Sequence, residues 1–107
     1  MNLNEAVKKT REVASQMPGK PWGAQQRFTD LVEEVGELAN AIQVQEGWKT
    51  KIRAKSELID SVCDVLYSVF DLAALYGIDL DQEYPKVLAQ IDTRRKSGDF
   101  DHIWVLY

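Results

Sequence analysis

Five acids in two short runs, Glu33, Glu34 and Glu37 in EEVGEL and Asp60 and Asp64 in IDSVCDVLY, lie in stretches otherwise rich in apolar residues. A carboxylate taken out of water without a partner costs several kcal/mol, roughly. Acids clustered among apolar neighbours therefore imply a cation, a shared proton or a basic partner. Carboxylate oxygens suit Mg²⁺ or Mn²⁺, not zinc. An ion held this way serves phosphate chemistry, because it lets a polyphosphate approach an acidic surface.

The elements that must position these acids are helices. Helical periodicity runs along the chain, and no alternating polar and apolar stretch reads as a pair of strands. The expected fold is all-α, a four-helix-type bundle with two central antiparallel helices carrying acidic stripes, completed by oligomerisation. A first helix is predicted from about Asn4 to Gln16, with Leu3, Ala6, Val7, Val13 and Ala14 on one side and Pro18-Gly19 as its stop. After the linker GKPWGAQ, a second runs from about Gln25 or Phe28 to Gln45. Its core stripe is read as Phe28, Leu31, Val32, Val35, Leu38, Ala39 and Ile42. The third, from about Lys55 to Tyr76, is apolar around most of its circumference and should be central. Asp79 caps a fourth through its spacing to Gln82, ending near Lys96. Pro85 leaves two options: a kink in the first turns, or a start near Tyr84. The tail from about residue 98 packs on this subunit or on a neighbour.

At 107 residues the chain reads as one domain, 1–107, small enough to gain from association with a second copy. A composition 45% hydrophobic and 28% charged belongs to a folded globular protein. No apolar run approaches the roughly 18 residues of a membrane span, and the N-terminus has no apolar centre of a secretory signal, so a cytoplasmic protein without a membrane partner is expected. A net charge of −4 argues against a nucleic-acid polymer as partner. Cys63, alone in an apolar stretch, reads as a core residue. His102 in the tail carries no chemical signal.

Helix geometry brings the two acidic runs together. At about 100° per residue, Glu34 borders the second helix's apolar stripe, with Glu33 and Glu37 further out. On the third helix Asp60, Asp64 and Asp71 fall in one narrow stripe, with Ser61 and Ser68 close by. EEVGEL alone is compatible with an ordinary solvated helix face. Acids stacked a turn apart on a mostly apolar helix repel one another, however, and two such stripes facing each other would give a hard cation four or more oxygens.

At these residues the chain resembles the MazG-like all-α nucleoside triphosphate pyrophosphohydrolases, relatives of dimeric dUTPases and dCTP pyrophosphatases. The resemblance covers about residues 20 to 97. Glu33, Glu34 and Glu37, within EVGELA, match the first motif, and DVLYS after Asp64 is similar to the second. Ser61 stands where that motif has Glu. A literal E-x-x-D lies one turn earlier at Glu57 and Asp60, and either residue stands in for the missing ligand. Pro21-Trp22 with Gln26 is similar to a P-W-x-x-x-Q string of some members.

The resemblance implies cleavage of a nucleoside triphosphate between the α and β phosphates, with Mg²⁺ required and Mn²⁺ possible. The implied metal ligands are Glu34, Glu37 and Asp64, with Asp60 or Glu57, and the implied proton acceptor is Glu33 or Glu37. Lys51, Arg53 and Lys55, with Arg94, Arg95 and Lys96, are candidates to grip phosphate, although cations at a helix C-terminus also serve the helix itself. Trp22, Phe28 and Trp48 are candidates to stack on a base. The implied assembly is a homodimer or a dimer of dimers. Two other functions compete: a degenerate site that binds nucleotide or metal without efficient hydrolysis, and a helical bundle whose acids meet a basic protein partner.

Overall fold

The computed structural model describes the backbone of residues 1–50 and 54–100, and the side chains of 1–50 and 57–100. Its four helices are α1 (Leu3–Ala14), α2 (Ala24–Gln45), α3 (Ala54–Leu75) and α4 (Leu80–Lys96), and the described residues contain no strand. The class is all-α, as the periodicity requires. Among the described residues no helix is long and apolar enough to cross a membrane.

The central unit is an antiparallel pair of α2 and α3. As residue numbers rise along α2 from 27 to 30 to 34, their partners on α3 fall from 71 to 68 to 64. Glycines close both long helices. Gly47 and Gly77 adopt φ of 85° and 63°, a left-handed conformation that costs other residues a Cβ clash. The chain then turns back, with the Trp48 and Ile78 N–H groups donating to the Gln43 and Ala73 carbonyls.

Helix α1 lies across α3, buries Val7 and is tied to α4 by reciprocal capping. Asp81 accepts from the Leu3 and Asn4 N–H groups, while Asn4 Oδ1 accepts from those of Leu80 and Asp81. Asp79 takes the predicted cap position, accepting from the Gln82 N–H at 3.1 Å. Helix α4 runs through Pro85 from Leu80, so the start near Tyr84 is not adopted. The proline's missing N–H withdraws one donor from the Asp81 carbonyl, a local cost in a helix that buries no residue.

Much of the apolar stripe assigned to the core of α2 lies outside, although Leu31 and Leu38 are half-buried. Phe28, Val32, Val35 and Ile42 are exposed, and the buried residues of α2 are Arg27, Ala41 and Val44. Ile59, Val62, Leu66 and Val69 of α3 are exposed too, as is Cys63, which is therefore not a core residue. The reason lies in the seam: α2 and α3 meet along their polar and small faces, which turns both apolar stripes outward.

Candidate metal centre

The seam brings three of the predicted acids to one point. One carboxylate oxygen each from Glu34, Glu37 and Asp64 lies within 4.8 Å of the other two. Oxygens about 2.1 Å from a shared Mg²⁺ can be no more than about 4.2 Å apart, so small rotations of the exposed Glu37 and Asp64 side chains would bring the set into range. Glu34 is half-buried, and its Oε2 is enclosed without a hydrogen-bond partner among the described residues. Burial, with the charges of Glu37, Asp64 and Asp30 adding to it, pushes the Glu34 carboxyl up from 4.5 to about 7. An orphaned carboxylate oxygen among like charges is what a site built for a cation presents before the cation arrives. The donor set fits a hard divalent ion.

A cleft of about 590 Å³ adjoins these acids, lined among others by Glu33, Asn40, Glu57 and Asp60. Glu57 and Asp60, the two candidates to replace an absent ligand, thus face the cleft without joining the three-acid group. Ser61 also lines it and is buried, at the turn between Glu57 and Asp64 where the resemblance implies Glu.

On the other side the seam is locked by a charged network that the sequence reading missed. Asp71 is fully buried, and its Oδ2 accepts from Arg27 Nε at 2.9 Å. Arg27 Nη1 also donates to Asp30 Oδ2 at 3.1 Å, and the Ser68 hydroxyl donates to the same oxygen. Arg11 Nη1 of α1 stands 3.3 Å from Asp71 Oδ1, close enough for charge attraction but without hydrogen-bond alignment. Asp71 therefore belongs to an ion-pair network and not to the acidic stripe in which its spacing placed it. A legible signal for this seam was the three-and-four spacing of Arg27, Asp30, Glu34, Glu37, Ala41 and Val44. Glu57, Ser61, Asp64, Ser68 and Asp71 repeat that spacing on α3.

The other predicted site residues are scattered. Arg94 and Arg95 pair with Asp99 and Asp92 at the end of α4, where Lys96 also meets Asp92. Trp48 is exposed beyond α2, and Phe28 is exposed on its outer face. Gln26 reaches back to accept from the Gly23 N–H at 2.9 Å, so the glutamine of the P-W-x-x-x-Q string caps α2. Lys51, Arg53, the Lys55 side chain, His102 and the end of the tail lie outside the described residues.

With this geometry in place, comparison with known proteins decides the family. The family described as phosphoribosyl-ATP pyrophosphohydrolase matches residues 3–94. The chain belongs to that family. Membership places it in the MazG-like all-α superfamily and makes it a pyrophosphohydrolase-type helical hydrolase. The chain is also 30% identical over 89 residues to the uncharacterized protein YvdC of Bacillus subtilis (strain 168), covering 76% of this chain and 84% of that protein. No solved structure matches. The family match runs from the start of α1 to within two residues of the end of α4 and includes both acid-bearing helices.

Proposed function

We propose that the protein is a Mg²⁺-dependent nucleoside triphosphate pyrophosphohydrolase, cleaving its substrate between the α and β phosphates to a monophosphate and pyrophosphate. Its role would be to clear surplus or noncanonical nucleotides. The observation that carries the reading is the convergence of Glu34, Glu37 and Asp64 around a buried, unpartnered carboxylate oxygen. A divalent ion held there neutralises phosphate oxygens and acidifies nearby water. The chain's own residues do the rest. Glu33 or Glu37, at the cleft wall, takes the proton as water attacks the α phosphorus and pyrophosphate leaves. Lys51, Arg53 and Lys55, which precede Glu57 in the sequence, are the candidates to neutralise the departing phosphates.

The working unit is proposed to be a homodimer or a dimer of dimers. The chain exposes 8319 Å², against about 6,000 Å² for a compact monomer of its mass. The apolar faces of α2, α3 and α4 are the surface a second copy would cover.

Pyrophosphate release from a panel of NTPs, dNTPs and phosphoribosyl-ATP tests the activity. Mg²⁺-dependent turnover of at least one is the expected outcome, while a folded protein inert toward every member with Mg²⁺ and with Mn²⁺ would remove the reading. Buried Ser61 in the cleft wall favours one second reading, a site that binds nucleotide without efficient turnover. In that case Ser61→Glu should raise the rate.

A further inference from the structure

A second cavity, of about 520 Å³, opens where the linker between α1 and α2 folds over α3, with Arg11, Lys20, Trp22, Arg27 and Tyr67 among its walls. We propose that it holds the base end of the nucleotide and that Arg11 reads the base edge, favouring bases that present a keto oxygen beside an unprotonated ring nitrogen, as cytosine and guanine do. This assignment rests on the nucleotide reading above and gives the substrate a direction along the seam.

The volume lies in the range of small-ligand pockets, and the aromatic walls suit a flat ring. Cations also suit phosphate, but the floor of this cavity is not a free charge. Arg27, 5% exposed, lies between Trp22 and Tyr67, its guanidinium carbon 4.7 and 5.0 Å from the two ring centroids. Its fork is already engaged by Asp71 and Asp30.

Arg11 differs. Its side chain is 31% exposed, it makes no hydrogen bond among the described residues, and its one ion contact with Asp71 is loose at 3.3 Å. A planar donor fork with open N–H groups recognises two neighbouring acceptors, which O6 and N7 of guanine or O2 and N3 of cytosine supply. Adenine sets an amino donor beside its acceptor, and uracil sets an N–H beside each keto oxygen.

Measured along the helix axes, the cavity lies within one to two turns of the acids. Tyr67 precedes no ligand but follows Asp64 by one turn of α3, and Arg27 lies two turns before Glu34 on α2, about 5 and 10 Å of helix rise. A ribose with its 5′ oxygen spans a gap of that order. The α phosphate then falls at the three acids, and the pyrophosphate end lies in the cleft beyond them, toward the connection between α2 and α3.

Calorimetric titration of dCMP, dGMP, dAMP, dUMP and inorganic tripolyphosphate into the wild type and Arg11→Met, each with Mn²⁺, tests the assignment. The wild type should prefer dCMP or dGMP over dAMP and dUMP. Arg11→Met should reduce that preference about tenfold, the worth of one hydrogen-bonded contact, and leave tripolyphosphate affinity unchanged. Weaker tripolyphosphate binding in the variant would make the cavity the phosphate end, and an unchanged base ratio would remove the base from it; either overturns the proposal. Should Arg11→Met not fold, Trp22→Ala on the exposed linker carries the same test, with weaker binding of all four nucleotides and unchanged tripolyphosphate expected. Selective dCMP or dGMP binding by a wild type that hydrolyses no triphosphate would remove the hydrolase reading and leave this one standing.

Discussion

Glu34 is where burial and the proposed function meet. Its carboxyl keeps its proton to about pH 7 in the folded, metal-free protein, whereas an unfolded chain releases it near 4.5. Between those values the native state binds more protons than the unfolded one, so this group makes stability fall as pH rises. Metal-free protein should therefore melt at progressively lower temperature from about pH 5 to about pH 8, and Glu34→Gln should flatten the trend. Mn²⁺ or Mg²⁺ should raise the melting temperature more at the higher pH, because the ion binds the deprotonated acid. Scanning calorimetry with chelator and with metal measures both effects, and a metal-independent curve would exclude binding at these acids. Arg27 and Asp71 mark a second conflict at this scale. Each is buried and charged, and each is tolerated because the other lies 2.9 Å away; deleting Asp71 would leave Arg27 with Asp30 alone, and deleting Arg27 would leave Asp71 with only the looser contact to Arg11.

At the scale of helices, capping decides where elements begin, and it also joins them. Asn4 sits in α1 yet accepts from the first N–H groups of α4, while Asp81 in α4 accepts from those of α1. Two helix N-termini, each with orphan donors, thus satisfy one another. Asn4→Ala should cost about 1–2 kcal/mol in urea unfolding by removing the side-chain acceptor that caps α4, while the backbone N–H groups of α1 keep Asp81. A change within error would mean that water replaces the amide without loss. The cap at Asp79 could be read from its D-x-x-Q spacing because capping is a short-range property. The seam was harder to read, because hydrophobic periodicity points to the apolar stripes, whereas the faces that meet carry the three-and-four spacing of Arg27 and Asp30 on α2 and of Ser68 and Asp71 on α3.

For the whole molecule, the outward apolar stripes govern behaviour. Val35 on α2 and Val62 on α3 are both exposed, as are Tyr84, Val87, Leu88 and Ile91 on α4. An interface of standard size covers about 800 Å² per partner, well within the excess surface this chain carries. Light scattering after size exclusion should give at least twice the 12.2 kDa of one chain, and Val62→Glu, with a charge placed in the stripe, should shift the population toward monomer and lower the melting temperature. A wild type that runs as a monomer at micromolar concentration would show that the stripes need no second copy.

The sequence by itself determined the all-α class, the four helices to within a few residues, and two acidic runs that contain Glu34, Glu37 and Asp64. These follow from local rules: the 3.6-residue period, the caps, and oxygen donors at helical spacing. The tertiary structure alone decided which faces of α2 and α3 meet. That choice separated Asp71 from the acidic stripe, placed Phe28 and Cys63 outside, and left Arg94 and Arg95 with partners at the end of their own helix. Its physical reason is that charge pairing across the seam depends on residues more than forty positions apart, a relation that no local window of the chain contains.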